Sequence, residues 1–203
     1  MEEELHWYAL KIFFNKLFEA ETVFAGQGLE SYFPVELVRL KGEDHLRAAR
    51  RLATPDDFRQ DNRYRKIGPA IFLRKPVVNS LIFVRTTASD ILRVGEEFRG
   101  KGFLYTMVDK KVPYIIPDKE MAMFRLVTSS GDNGLKFFSD ESITRYKQGD
   151  RVRVKEGPLK GTEGYIKRIG RDRRLLVAIE GFVAVATSFI PFQNLEKVSD
   201  HAD

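Results

Sequence analysis

The stretch that decides the fold of the C-terminal part of this chain is residues 149–166, GDRVRVKEGPLKGTEGYI. Val152 and Val154 alternate with basic residues, and this period of two is typical of a strand with one buried face and one solvated face. The basic residues of the alternation are Arg151, Arg153 and Lys155. We therefore predict a half-buried strand whose valines face a core.

Turn-forming residues follow this strand and lead into a second one. Gly157 and Pro158 come directly after it; proline fixes φ and glycine tolerates positive φ, so the pair favours a tight turn. Gly161 and Gly164 precede an apolar pair at 165–166, where glycine suits a bulge or a close approach of two backbones. The segment therefore predicts a β-hairpin.

Short strands continue towards the C-terminus. A turn is predicted at 170–173, the runs LLVAIE and FVAVATSF follow it, and a last short strand lies near Leu195. Five short strands in about 50 residues are typical of an SH3-like β-barrel. We predict this domain over residues 146–198, with a tail at 199–203.

The N-terminal part of the chain mixes strands with helices. Aromatic and β-branched runs predict strands at 6–14, 31–40 and 74–87, the last one near-continuous and central, and a hairpin at 103–116. Helices are predicted after Asn15 and Ser89, each of which can act as an N-cap, and from residue 117 onward. This order of elements predicts an α+β domain, in which helices flank an antiparallel sheet.

Two segments interrupt this pattern. Residues 41–67 are charged and poor in large apolar side chains, so we predict a long basic insertion in the form of a loop or hairpin. Residues 128–134, TSSGDNG, are small and polar, which is typical of a domain boundary. We therefore predict an N-terminal domain over residues 1–128 and a linker over residues 129–145.

Basic residues are concentrated in two blocks. Residues 145–174 contain 11 basic and 4 acidic residues, and residues 39–75 contain 11 basic and 5 acidic residues, while the net charge of the chain is only +5. Such blocks suggest a polyanionic partner, most simply nucleic acid. The alternative is that each block is an ordinary solvated surface.

Composition excludes several kinds of site. The chain has no cysteine, which excludes disulfides and thiolate metal sites and predicts a reducing, cytoplasmic location. The acidic N-terminus has no apolar signal core and the apolar runs are far too short to span a bilayer, so we expect no membrane association. The three histidines are scattered, and the glycine-rich residues 157–164 lack the Gly-Lys-Ser/Thr of a P-loop. We therefore expect no catalysis, metal or cofactor.

Two motifs, taken together and in this order, resemble the NusG family of transcription factors. The C-terminal motif is similar to the KOW motif at Gly149, Asp150, Val152, Val154, Gly157, Pro158, Gly161, Glu163, Gly164 and Ile166. WYAL at 7–10 and PVVNSLIFV at 76–84 are similar to strands of the family's N-terminal NGN domain. The insertion and the stretch GFVAVATSFIPFQNLEKV resemble most the UpxY-type antiterminators of Bacteroides, which serve capsular polysaccharide operons.

The resemblance implies an NGN domain followed by a KOW domain, and a non-enzymatic role in transcription elongation and antitermination. It implies that the first domain grips the clamp helices of RNA polymerase through an apolar groove. The implied polymerase-binding residues are Tyr8, Val78, Leu81 and Phe83. Val78 stands where the family usually has an aromatic residue, and ordinary core packing is the alternative for each position, above all for Phe83.

The resemblance also implies contacts made by basic residues. Near the groove, the candidates for contact with non-template DNA or nascent RNA are Lys11, Lys16, Arg74 and Lys75. In the KOW-like domain, the candidates for docking a partner such as ribosomal protein S10 or termination factor Rho are Arg151, Arg153, Lys155, Lys167, Arg168, Arg171, Arg173 and Arg174. The alternative hypothesis is a stand-alone KOW-type RNA-binding or ribosome-associated protein.

Overall fold

The computed structural model of this chain describes residues 4–107, 112–132, 134–139, 149–169 and 171–198. Contacts between residues divide the chain into two compact units, Met1–Tyr114 and Ile115–Asp203. Helices and antiparallel strands occur in both units, which confirms the predicted α+β class.

The first unit contains an antiparallel sheet of four strands. In chain order, its elements are β1 (His6–Ile12), α1 (Leu17–Gly26), β2 (Glu30–Tyr32), β3 (Val35–Arg39), α2 (Gly42–Arg51), α3 (Pro55–Gln60), β4 (Tyr64–Ile67), β5 (Ala70–Pro76), β6 (Leu81–Thr86), α4 (Ala88–Glu97) and β7 (Gly102–Leu104). The strand order in the four-stranded sheet is β2-β6-β1-β7. The two central strands are therefore β1 and β6, which carry the WYAL segment and the end of the PVVNSLIFV segment.

Helices cover one face of this sheet. Tyr8, Leu10 and Ile12 alternate along β1 onto that face and are buried with Ile82 and Val84 of β6. The helical side chains in the same cluster are Leu17, Ala20 and Phe24 of α1 and Ile91 and Val94 of α4. Because burying one large apolar side chain contributes about 1.5–3 kcal/mol, this cluster is what holds α1 and α4 on the sheet.

Both predicted helices of this region exist, but their N-caps differ from the predicted ones. Thr87, rather than Ser89, is the N-cap of α4, and its Oγ1 accepts a hydrogen bond from the Asp90 N–H at 3.1 Å. Lys16 is the N-cap of α1, because Asn15 has a φ of 56° and still belongs to the preceding turn.

The insertion at 41–67 is folded, which corrects the prediction of a loop or hairpin. It contributes α2, α3 and β4, and β4 joins a three-stranded antiparallel sheet in the order β3-β5-β4. A capping box opens α3, in which Thr54 and Asp57 exchange backbone-to-side-chain hydrogen bonds. α2 is amphipathic, but Ala48 is its only buried residue, so the segment lacks the large apolar side chains that would have marked it as a packed helix.

The predicted strand at 74–87 is wrong as a single element. β5 ends at Pro76 and β6 begins at Leu81, and the two strands belong to different sheets. Ser80 has a φ of 69° in the turn between them. Pro76 has no N–H to donate to a strand ladder, so the chain leaves the three-stranded sheet there.

Among its described residues, the second unit contains a six-stranded antiparallel sheet, one α-helix and a short 3-10 helix at Phe192–Asn194. In chain order, the α-helix and the strands are α5 (Asp118–Thr128), β8 (Lys136–Ser139), β9 (Arg151–Val154), β10 (Glu163–Ile169), β11 (Asp172–Ile179), β12 (Val183–Phe189) and β13 (Leu195–Lys197). The strand order is β13-β9-β10-β11-β12-β8. The five strands predicted for the C-terminal domain are present, and β10 and β11 form the hairpin predicted about 170–173.

Two elements extend the second unit beyond the domain predicted at 146–198. α5 lies against β11 and β12, and Glu120 accepts a hydrogen bond from the Glu180 N–H at 3.1 Å. β8, from within the predicted linker, pairs with β12. By these contacts, α5 belongs with the second sheet, although the sequence assigned it to residues 1–128. Residues 133 and 140–145 of the predicted linker, residues 146–148 of the predicted C-terminal domain, the tail, and residues 108–111 within the hairpin predicted at 103–116 lie outside the described residues.

In the part of the chain that the structure describes, no helix is both long enough and apolar enough to cross a bilayer.

We predict that Gly164→Ala destabilises the second unit by about 2 kcal/mol, because overpacking of this kind typically costs 1–3 kcal/mol. A Cβ at position 164 would overlap the carbonyl oxygen of Leu176 and approach Leu175 Cδ1 to 3.0 Å. Urea unfolding followed by the amide NMR signals of β10 and β11 measures the loss. Gly26→Ala, where a Cβ meets nothing within 4 Å, is the control and should cause no loss. Equal effects of the two variants would contradict the predicted overlap.

Candidate binding surfaces

Two of the predicted polymerase-binding residues lie on the face of the four-stranded sheet that α1 and α4 do not cover. Ala9 pairs with Phe83 and Lys11 pairs with Leu81, and directly opposed residues project to the same face of a sheet. Phe83 is 0% exposed and Leu81 is 6% exposed. Leu81 and Phe83 therefore share a face, as the strand period predicts, and the register of β1 with β6 adds Lys11 to it, but the two apolar side chains are buried.

The other two predicted polymerase-binding residues lie elsewhere. Tyr8 projects from the opposite face of β1 into the helix-covered core and is 1% exposed. Val78 is half-buried in the turn between β5 and β6. The structure thus brings together Leu81 and Phe83, and it does not bring Tyr8 or Val78 onto their face.

An aromatic patch lies at the end of the face that holds Leu81 and Phe83. We define it as Phe13, Phe14, Phe103 and Tyr105. Ring centroids are 6.1 Å apart for Phe13 and Phe14, 6.0 Å for Phe13 and Phe103, and 5.0 Å for Phe103 and Tyr105, all edge to face. Lys11 Nζ lies 6.0 Å from the Phe103 centroid. Phe14 is 76% exposed and Phe103 is 43% exposed, so the patch presents apolar rings to solvent beside a cation.

The backbone holds Phe14 in its exposed position. Phe14 and Asn15 have φ angles of 59° and 56°, in the left-handed region. Asparagine tolerates this region, whereas it costs a residue such as Phe14 roughly 1–2 kcal/mol. Such strained positions cluster at functional sites. From the sequence, Phe14 was predicted to end a strand, and its exposure was not predicted. The signal that could have shown it is the pair Phe13-Phe14 next to Asn15, which breaks the alternation of apolar and polar residues.

Arg74 was predicted to bind nucleic acid, but the structure uses it as an internal link. Its guanidinium donates to both carboxylate oxygens of Glu21 at 2.8 Å and to the Asn62 carbonyl at 2.7 Å. Its Cζ lies 5.2 Å from the Phe18 ring centroid and 5.6 Å from that of Phe33. Arg74 therefore joins the insertion to α1, and little of its charge remains for a ligand.

The other three predicted nucleic-acid-binding cations are more accessible. Lys16 Nζ pairs with Glu19 at 3.0 Å on the surface. Lys75 is exposed and faces Glu36 across the three-stranded sheet. Lys11 is half-buried beside the aromatic patch. Lys11 is the only one of the four that the structure brings next to exposed aromatic rings.

In the second unit, a carboxylate binds two of the predicted docking cations. Glu163 Oε1 accepts a hydrogen bond from Arg153 at 2.7 Å, and Oε2 accepts from Arg151 and from Lys119 of α5, each at 3.0 Å. The Glu163 side chain is only 6% exposed. Hydrogen bonds, first from Arg153 and then from Lys119, lower the pKa of Glu163 from 4.5 to about 2. Arg151 and Arg153 therefore stabilise the second unit, in addition to placing positive charge on its surface.

We predict that this carboxylate gives the second unit an acid-sensitive stability. The folded pKa of Glu163 is about 2 and the ordinary value is 4.5, so its contribution is complete above pH 4.5 and is lost as the pH falls towards 2. A shift of this size is linked to about 3 kcal/mol of unfolding free energy. Glu163→Gln should therefore cost about that amount at pH 7 and should flatten the stability profile below pH 4.5.

Urea unfolding at a series of pH values, followed by the amide NMR signals of β9 and β10, measures this contribution. Glu196→Gln is the control, because Glu196 meets Arg153 at 3.4 Å in a pair that is nearly half exposed, and such pairs contribute little. An unchanged slope below pH 4.5 in Glu163→Gln would show that other groups carry the acid response.

The remaining predicted docking cations divide into buried and exposed groups. Arg174 has a side chain only 12% exposed and donates to the carbonyls of Gly134 at 2.8 Å and Thr187 at 3.1 Å. Lys167 is half-buried. The exposed members of the set are Lys155, Arg168, Arg171 and Arg173. The cations that face solvent are therefore mainly those around the β10–β11 turn.

A cleft of about 540 Å³ opens between α1 and the insertion, and charged groups line it. Asp61 in its wall pairs with Arg51 at 3.0 Å and with Arg63 at 2.7 Å. These contacts neutralise the charges of the wall internally. Among the described residues, no group of histidine, aspartate and glutamate side chains is arranged to hold a metal ion.

Comparison with known proteins shows a likeness among solved structures only. No protein-family description matches the chain, and no curated protein matches it. Among solved structures, the chain is similar to one described as "Domain interaction in Thermotoga maritima NusG", with a TM-score of 0.42 and 14% identity. That alignment covers 97% of this chain and 98% of the Thermotoga chain.

Proposed function

We propose that this chain is a non-enzymatic transcription elongation factor of the NusG type, which binds RNA polymerase through its first unit. The observation that carries the proposal is the aromatic patch at the end of the central sheet. Exposed aromatic rings on a rigid strand end are typical anchors for a partner helix. Covering these apolar rings with a partner removes them from water, which lowers the free energy of the complex. Charged surface groups, in contrast, lose favourable hydration when a partner covers them.

The arrangement of the motifs supports the same proposal. The WYAL segment and the LIFV segment are more than 70 positions apart in the sequence, yet they are the paired central strands β1 and β6. The KOW-like segment is the β9–β10 hairpin of the second sheet. Each segment that carries the resemblance is therefore a central structural element of its unit, which favours a shared architecture over a chance match of short motifs.

The proposed mechanism is a shift in population. A ligand that binds one conformation of the polymerase more tightly than another moves the equilibrium towards it. Binding to the clamp helices through the aromatic patch, with Leu81 and Phe83 behind it, would favour the closed clamp and suppress pausing and termination. Lys11, beside the patch, is suited to contact a nearby phosphate of non-template DNA or nascent RNA.

Two finer proposals concern the location and target operons of the protein and the partner of its second unit. We propose a cytoplasmic antiterminator of the UpxY type that serves polysaccharide biosynthesis operons. The exposed cations around the β10–β11 turn are the proposed docking site for ribosomal protein S10 or Rho. These proposals rest on the sequence resemblance, and on the exposure of Arg168, Arg171 and Arg173.

We predict that Phe14→Ser combined with Phe103→Ser weakens binding to bacterial core RNA polymerase by at least about tenfold, since aromatic anchors carry a large share of interface energy. The wild-type chain should co-elute with the polymerase, and a general NusG protein should displace it. Both substituted side chains are exposed, so circular dichroism and thermal unfolding should change little.

The matched control is Leu46→Ser combined with Leu92→Ser, which removes two exposed apolar side chains from helices α2 and α4. This variant should bind like the wild type. Binding that the NusG competitor leaves untouched, or that both double variants lose equally, would contradict the proposed surface. Absence of binding together with tight binding to free RNA would favour a stand-alone RNA-binding protein.

A further inference from the structure

The insertion's own helices α2 and α3 pack against one face of its three-stranded sheet. Ile71 of β5 is buried on that face together with Ala48 and Leu52 from α2 and its C-terminal end. The partly buried side chains that complete the cluster are Leu40, Ala49, Phe58 and Tyr64. Because side chains alternate along a strand, the residues of β5 next to Ile71 project to the opposite face.

On that opposite face, an aromatic ring lies between two arginines. Phe72 of β5 is directly paired with Arg39 of β3 and with Arg65 of β4. Directly paired residues project to the same side of a sheet, so the three side chains form one row across it. We call these three residues the basic–aromatic row. Phe72 is half-buried and both arginines are exposed.

Within the part of the chain that the structure describes, the arginines of the row are not neutralised. Among the described residues, neither Arg39 nor Arg65 forms an ion pair or a side-chain hydrogen bond, and no cation lies over the Phe72 ring. Two exposed arginines in the helices of the insertion differ in this respect. Arg47 pairs with Glu43 at 3.1 Å, and Arg59 pairs with Asp56 at 3.0 Å.

Apolar side chains extend the face beyond the row. Ile67 of β4, two residues after Arg65, is 46% exposed. Leu37 of β3, two residues before Arg39, is 37% exposed. Strand spacing separates Arg39 from Arg65 by about 10 Å, with the ring between them. The face therefore offers one flat ring for stacking, a cation on each side of it and apolar borders.

We propose that the basic–aromatic row binds single-stranded nucleic acid. An unpaired base can stack on Phe72 while the two guanidinium groups contact the phosphates on either side. A duplex keeps its bases stacked on one another and cannot offer a base to the ring in this way. The surrounding charge agrees, because residues 39–75 carry 11 basic and 5 acidic residues. The site is independent of polymerase binding, since it needs no residue of the aromatic patch.

Binding of the full-length chain to fluorescein-labelled oligothymidine and oligouridine of about 15 nucleotides, and to a duplex of about the same length, tests the proposal. The single strands should bind more tightly than the duplex. Phe72→Leu should weaken single-strand binding by about tenfold and Phe72→Trp should retain it, because stacking depends on the ring. Comparing oligouridine with oligothymidine shows whether the natural ligand is RNA or DNA. Tighter binding of either one supports the proposed site.

The charges of the row are tested by salt dependence. Arg39→Gln with Arg65→Gln should reduce the slope of log K against log salt by about 1.4, which is about 0.7 for each phosphate contact. Arg47→Gln with Arg59→Gln removes the same formal charge from the helical side and should leave the slope nearly unchanged. Circular dichroism confirms that each variant is folded.

Three outcomes would overturn the proposal. The first is equal binding of single strands and duplex, with no effect of Phe72→Leu in a folded protein. The second is an equal loss in the two double-arginine variants, which would mean that only net charge matters. The third is no binding to any oligonucleotide at about 50 mM salt, where electrostatic binding is strong; the row would then serve an acidic protein partner or solvation alone.

Discussion

The pairing of β1 with β6 is the constraint on which the first unit depends. Once Ala9 lies opposite Phe83, the period of two fixes the direction of every side chain on both strands. Tyr8, Leu10 and Ile12 must then face α1 and α4, while Lys11 and Leu81 must face the other way. A shift by one residue would expose the helix-covered core, which explains why this register is strongly specified.

The same register places the aromatic patch. Lys11 pairs with Phe103 of β7 as well as with Leu81, so β1 aligns the end of β7 with the end of β6. The turn at Phe14 and Asn15 follows directly, and its left-handed backbone keeps Phe14 in solvent. An exposed ring held by strained backbone is costly in isolation, and it becomes favourable when a partner buries it. The proposed binding surface therefore lies at the end of the best-packed sheet of this unit.

The second unit is organised by a buried charge as well as by apolar packing. Glu163 follows the tight turn of the first hairpin and lies opposite Arg153, so its carboxylate meets two arginines of the same sheet and Lys119 of α5. A buried carboxylate would be costly if it were unpaired, and here three cations compensate for its desolvation. Counting basic residues along the sequence treats all of these cations as available to a partner. Because the cluster uses three of them within the fold, that count overstates the positive charge that a ligand can meet.

From the sequence alone one can predict the α+β class, the five C-terminal strands and the central position of the LIFV segment, because alternation and turn residues act over a few positions. The strand period also predicted that Leu81 and Phe83 share one strand face, whereas the pairing of Lys11 with Leu81 came from the structure. Only the tertiary structure decided that Tyr8 faces the core, that Arg74 is bound to Glu21, that the insertion is folded, and that Phe72 lies between Arg39 and Arg65. These features depend on strand pairing and on ion pairs between residues far apart in the chain, and local periodicity carries no record of which distant partner a side chain will meet.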